Sequence, residues 1–533
     1  AFRSADPAFD GRKLTVAEVL DRSIANMDDQ LANDDATRAD LLAAIGTSYL
    51  GLGLYKEMLN VFERERELRD GLEGATSRSA LKAASNVALA TYYAGDYPPA
   101  AELFEDLIRE QKKIGEDGNA DVLTSMNGLA LSISSDGKLS QAMALYEETL
   151  KKRRETDGNK ALETLLAVNN LAMSYRSVGR LTDSVPLFES TLQWRSKELG
   201  DDHPKTLISM QNMAGILTSL GQIGEALAQA EPALEKHRLK LGDSHRHTLS
   251  AIDILARIYL DLGMVRQATV LADESLANAK ETLEHDHPDV AKAMDLVGNC
   301  YLHAGEFDAA KEMLQETEDL RTKILGEGHP QTIATKIRLA ECQLRRGSIV
   351  EAAALAEGSH RLAILKQGER HPLTLRAASV FGTVKSSQKR YDAAIEMLTS
   401  AFQTQLELLG SEHPGTLKTQ HALAEAHLQQ KHYDEARSLL EKTLNERTIK
   451  LKSTHPDSWR TRLVLVECFL QQQDYARARD VLAAAAEFYN GFPEQQLPVE
   501  VELATRTASA FVRVLDGLGE SEQADVWRKR LPQ

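Results

Sequence analysis

Apolar residues along this chain recur at spacings of three and four, the stripe of a helix buried on one side. The stretch from Thr206 to Leu220 shows it plainly, with Leu207, Met210, Met213, Ala214, Leu217 and Leu220 on one face. Gly221 closes that helix, because glycine accepts the left-handed backbone a helix end often needs. A second helix is predicted from about Gly224 to Leu241, followed by a polar turn, Gly242 to Ser244, and then another helix. Pro186 falls near the start of a second helix, where proline is tolerated. Pro232 lies deeper and predicts a kink or a late start.

The same pattern returns every 42 residues. A His-Pro pair stands at His203-Pro204, His287-Pro288, His329-Pro330, His371-Pro372, His413-Pro414 and His455-Pro456. His245-Arg246 keeps only the histidine and Leu497-Pro498 only the proline. Glycine recurs in phase at Gly53, Gly95, Gly137, Gly179, Gly221, Gly263, Gly305 and Gly347. Two residues on comes an apolar column that continues as Tyr391, Tyr433 and Tyr475 after glycine is lost. Three further on is a small residue, from Ala100 and Ala142 through Ser184 to Ala436 and Ala478, which lets two helices approach closely. Proline after histidine suits a first helical position, where its missing N–H has no partner to lose. Each unit therefore reads as helix, tight turn, helix, polar loop.

Twelve units start near 36, 78, 120, 162, 204, 246, 288, 330, 372, 414, 456 and 498. The predicted division is a linker over 1–13, a capping helix over 14–35, eleven repeats over 36–497, and a degenerate capping repeat over 498–533, where Gly519 and Ala524 stand out of phase. The fold class is all-α, a solenoid of about twelve helix pairs curved into a right-handed superhelix with a continuous concave face.

Composition narrows function more than fold. A formal net charge of -16 and a pI near 5.5 oppose a phosphate backbone, so no nucleic-acid partner is expected. No apolar run is long enough to span a bilayer, so no direct membrane insertion is expected. The chain opens on Ala1, which points to processing or to a piece of a longer protein. Cys300, Cys342 and Cys468 share one repeat position where other units carry small or apolar residues, and they read as inert buried thiols in a cytoplasmic setting. A metal site would need ligands converging to about 2 Å from one ion. One histidine per stacked unit does not converge, so the histidine column reads as capping or packing and no metal is expected. Kinase, Walker, G-x-S-x-G and H-E-x-x-H motifs are absent, so neither catalytic residues nor a cofactor are expected in this chain.

The Leu-Ala-like pairs Leu129-Ala130 and Leu171-Ala172, the tyrosine three residues on at Tyr175, and the glycine and small-residue columns resemble the tetratricopeptide repeat. The 42-residue length and the G-x-x-H-P-x-T joins (Gly200 to Thr206, Gly326 to Thr332, Gly410 to Thr416) resemble the longer repeats of kinesin light chain, as does "NNLAMSYRSVGR" from Asn169 to Arg180. The opening "FRSADPAFDGRKLTVAEVLDRS" resembles the segment preceding repeat arrays in bacterial serine/threonine kinases. The first resemblance implies a scaffold that binds a protein or peptide in its concave groove. The second implies an alternative, the sensor or substrate-docking region of such a kinase. A third reading is a structural, self-assembling solenoid.

The resemblance also implies that positions two or three residues before the repeat alanine face the groove. Asn86, Asn127, Asn169, Asn170 and Asn212 stand there, and asparagine can bond a peptide backbone with both its donor and its acceptor. The plainer reading is that they bond neighbouring helices. In later units Lys292, Arg376, Lys418 and Arg460 form one column near the start of the first helix, and Arg338 joins them. Together they suggest a positive lining for an acidic peptide or a terminal carboxylate, against the plainer reading of a solvated helix face. Ligand identity and oligomeric state are left open.

Overall fold

A computed structural model describes residues 16–531 apart from 32, 53, 115–118, 159–161, 178–179, 452–454 and 490–497. The proposed linker over 1–13 lies outside the described residues, as does most of the kinase-like opening segment. Among the described residues there are 25 helices and no strand.

After a first helix, Val16–Gln30, the helices run in antiparallel pairs. Unit 1 pairs Asp35–Leu52 with Tyr55–Glu73, and unit 12 pairs Pro498–Gly517 with Ser521–Arg528. The small residues make the pairs possible. Ala88, Ala130, Ala172, Ala214, Ala256, Ala340 and Ala424 on first helices have no exposed surface, and neither do Ala100, Ala142, Ala226, Ala268, Ala310, Ala352, Ala394, Ala436 and Ala478 on second helices. Two backbones meet there without a side chain to hold them apart, and the larger apolar residues close around the contact. The core is a row of small clusters, each spanning two or three units, as expected where a repeat touches mainly its neighbours.

Consecutive units touch first helix to first helix as well as through the helix between them, while neighbouring second helices make no comparable contact. The first helices therefore form the inner wall of the curve and the second helices the outer wall. The helix Ile223–Leu241 runs through Pro232, so of the kink or late start expected from sequence the late start does not occur. Proline removes one backbone donor there, but Ala226, Ala230 and Leu234 on either side are buried in a shared cluster that holds the helix.

The curve closes on itself. Each His-Pro histidine caps its own helix: Nδ1 of His329 accepts from the backbone N–H of Gln331 at 3.2 Å, and Nδ1 of His413 from that of Gly415 at 3.0 Å. The other ring nitrogen reaches a backbone carbonyl 194 residues earlier. His287 meets Tyr93 at 3.1 Å, His329 Ser135 at 2.7 Å, His371 Ser177 at 3.1 Å, His413 Ser219 at 2.7 Å and His455 Asp261 at 3.0 Å. A carbonyl only accepts, so Nε2 carries the proton in all five. Every bond joins the start of a first helix to the end of the first helix five units before it, so one superhelical turn takes about five units. Leu283 packs on the cluster of the first units, Leu409 on that of units 4 to 6, and Lys56 pairs with Glu284 at 3.1 Å.

Candidate binding surface

The inner wall carries polar side chains at fixed repeat positions, and neighbouring units join them into a ladder. Asn170 Nδ2 donates to Asn127 Oδ1 at 3.0 Å, and Asn212 Nδ2 to Asn169 Oδ1 at 2.9 Å. Gln211 continues the row to Ser250 at 2.7 Å. Asn169 and Asn212 are buried, while Asn127 and Asn170 are half-buried. Asn86 stands apart and donates to Glu65 on the preceding second helix at 3.1 Å.

From unit 6 onward the same wall is ionic. At the ladder position where units 4 and 5 place Asn169 and Asn212, units 7 and 8 place Asp295 and Arg338, with both carboxylate oxygens 2.9 Å from Arg338 Nη1. Arg321 adds a contact to Asp295 at 3.2 Å and Thr335 donates to it at 3.1 Å. Burial by itself would raise the Asp295 carboxyl, but Arg321 and Arg338 outweigh it and hold the group below the usual carboxylate value. Burial pulls Arg338 down to about 10, only partly offset by Asp295.

The basic column behaves alike. Lys292 lies 3.4 Å from Asp253, Arg376 3.1 Å and Lys418 2.6 Å from Glu341, and Arg460 3.0 Å from Asp457. Burial opposes the charge on Glu341, yet Lys418 and Arg376 hold it ionised well below its ordinary range. Lys418 and Glu341 are two units apart, so this bond chords the inside of the curve. The column that the sequence offered as free positive charge is thus matched by acids from its own and neighbouring helices. Lys418 keeps most of its side chain in water and Arg376 about a third, whereas Arg338 is enclosed.

Sequence reading passed over a further column. Arg195, Arg321 and Arg447, buried near the ends of second helices, each clamp the first turn of the next helix. Their guanidinium groups bond the carbonyls of Lys205, Gln331 and Asp457 at 3.0–3.1 Å and the hydroxyls of Ser209, Thr335 and Thr461 at 2.6–2.8 Å. Arg153 holds a related place, bonding the Ala120 carbonyl and the Thr124 hydroxyl. Four arginines separated by multiples of 42 were the available signal. Cys300, Cys342 and Cys468 are buried and unpaired, and burial pushes their thiols up to about 12, 11 and 11. Among the described residues no helix is long and apolar enough to cross a membrane, and no three potential metal ligands converge.

A family model described as the tetratricopeptide repeat matches residues 161–238, 247–323, 331–407 and 376–445. Two others of the same description match 421–491 and 122–156. No curated protein matches the chain. Among solved structures, a Podosopora anserina protein named as a kinesin light chain with nearly identical repeats is 27% identical, covering 39% of this chain and 99% of its own, with a TM-score of 0.31. BtubC from P. vanneervenii is 19% identical over 43% of this chain and 92% of its own, with a TM-score of 0.34. A Rap protein complexed with Competence and Sporulation Factor is 14% identical over 69% of this chain and 98% of its own, and its TM-score of 0.54 marks a shared solenoid fold.

Proposed function

The chain belongs to the tetratricopeptide repeat family, and from that premise we propose that it is a scaffold whose inner wall binds a segment of another protein. Repeats of this family generally mediate protein–protein interaction, the array is a non-catalytic scaffold type, and no catalytic domain is evident among the described residues. The observation that carries the reading is the asparagine ladder of units 3 to 5. Each amide has two donor hydrogens and an acceptor oxygen, and one ladder bond leaves Asn127 and Asn170 with groups to offer a main chain. Asn169 and Asn212 hold the ladder in register behind them, and Asn86, bonded to Glu65, adds an amide on the N-terminal side outside the ladder.

In the later units Lys292, Arg376, Lys418 and Arg460 take part by exchange. A carboxylate on the partner substitutes for Glu341 at Lys418 and Arg376, the most accessible of these pairs, while Arg338 serves as a buried support. The three unpaired thiols fit a reducing, cytoplasmic setting.

The test is affinity capture with the intact array at low and at raised salt, followed by Asn127→Ala with Asn170→Ala. A partner that survives salt and is lost with the two asparagines is the expected result. Capture that is abolished by salt and indifferent to the asparagines moves the site to the Glu341 cluster. A partner retained by the double asparagine variant and by Lys418→Ala overturns the inner-wall reading.

A further inference from the structure

We propose that the histidine bonds between superhelical turns form a row of clasps that keeps the coil shut over its inner wall, and that the chain carries residues that end the row. Three observations point the same way.

The first is how the two edges are made. Ser77 and Asn119, at the starts of units 2 and 3, cap their helices through side-chain oxygens, so a cap does not require histidine. Histidine takes over at His203 and holds through His455. From His287 to His455 it makes a second bond, to the turn below.

The second is the glycine column. A Cβ placed on Gly95, Gly137, Gly221 or Gly263 would stand 2.6, 2.6, 3.0 or 2.8 Å from the Cδ of Pro288, Pro330, Pro414 or Pro456, which belong to the turn above. Gly347 occupies the same place in unit 8, and no atom lies within 4 Å of a Cβ built there. In units 9, 10 and 11 the position is Lys389, Lys431 and Gln473, with φ of 63°, 66° and 60°. The backbone is left-handed there too. A left-handed turn alone therefore does not demand glycine in this fold; the approach of a proline does. A side chain at these three positions leaves no room for a His-Pro edge against them, which is where the row ends.

The third is the slightness of the seam. Along the chain, units pack over whole helix lengths. Across the seam, a cap meets a helix end, with His287 stacked on Tyr55 at 5.6 Å and exposed or half-buried ion pairs, Lys56 with Glu284, Arg266 with Glu500 and Arg345 with Glu502, beside it. A cavity of about 950 Å³ separates the lips where Lys138 and Arg180 face Lys366 and Arg370. The seam is the joint at which the coil parts most readily, and parting it uncovers the inner wall.

Small-angle scattering on the full chain tests this. Gly137→Lys with Gly221→Lys copies residues that the same turn already accepts at 389 and 431, and places a side chain against Pro330 and Pro414. The expected result is a larger radius of gyration and maximum dimension at unchanged helix content. Lys389→Gly with Lys431→Gly leaves both values at those of the wild type. Should the lysine variant fail to fold, His329→Asn with His413→Asn keeps the caps, as Asn119 does, and removes only the clasps; it too lengthens the particle. Scattering unchanged in the folded lysine variant, or in the two-histidine variant, overturns the proposal.

Discussion

Units 3 to 5 and units 7 to 8 solve one geometric problem with two chemistries. At the same pair of repeat positions, 43 residues apart, one region joins its first helices through Asn169 and Asn212 and the other through Asp295 and Arg338. The backbone is equivalent and both pairs are buried. An amide pair is joined by one bond, needs no counter-charge and stays neutral. A carboxylate taken out of water must be met by more than one group, and Asp295 gathers Arg338, Arg321 and Thr335. The ionic region is therefore more tightly cross-linked, and it depends more on each member. The neutral region has polar capacity left for a partner.

The largest expected effect tests that dependence. Asp295→Ala leaves two guanidinium groups buried without their counter-charge and should cost about 3–5 kcal/mol, the range for breaking a buried pair from one side. A repeat array need not unfold in one step, so hydrogen exchange resolved to units 7 and 8 is the measurement. Protection lost in those units and kept in units 3 to 5 is the expected pattern. Loss below about 1 kcal/mol would mean that the arginines find other partners at no cost. Acid separates the regions as well. The Asp295 carboxyl titrates below its ordinary value, so its contribution is complete above about pH 3.8–3.9 and is lost as pH falls through the depressed value. The asparagine pairs contribute nothing to that limb.

Asn212→Ala is the matching change in the neutral region. It strands the Asn169 oxygen, at an expected cost of about 1–3 kcal/mol, the penalty for one unsatisfied buried polar group. A cost equal to that of Asp295→Ala would erase the distinction between the two ladders.

How much of this was legible in the sequence follows from how far each feature reaches along the chain. Helix pairs, turns and the tight alanine contacts were open to reading because they fall within one unit or between adjacent ones, a reach that the 42-residue pattern exposes. The Asn and Lys/Arg columns were found, but their partners were not. Asn170 finds Asn127 one unit away, and Lys418 finds Glu341 two units away. Such pairings depend on how far each unit rotates against the last. The seam spans 194 residues and depends on five such rotations added together. Its signature was nonetheless present, in a histidine column that begins at unit 5 and a glycine column that ends at unit 8. The buried arginines were missed because a charged residue near the end of an amphipathic helix ordinarily faces water.

The smallest effect concerns the bonds that tie one superhelical turn to the next, here the neutral region to the units above it. His413 belongs to unit 10 and the carbonyl it bonds, that of Ser219, to unit 5. Burial lowers its pKa from 6.5, the bond to Ser219 offsets part of that, and no charged group enters the shift. A depressed histidine contributes fully above its unfolded pKa, about 6.5, and its contribution declines as pH falls from there toward the folded value. The ring nitrogen that accepts from Gly415 must be bare for the cap to form, so protonation removes the cap first. His413→Asn keeps a cap and loses the clasp, at an expected cost of about 0.5–1.5 kcal/mol at pH 7.5. At pH 5, below the unfolded value, part of the histidine's contribution is gone while the asparagine cap of the variant does not titrate, so the gap should narrow. Denaturation midpoints of the two proteins at both pH values decide it. A gap of the same size at pH 5 as at pH 7.5 would show that a neutral ring is not what joins unit 10 to unit 5, leaving Leu409 and the approach of Pro414 to Gly221 to hold that contact.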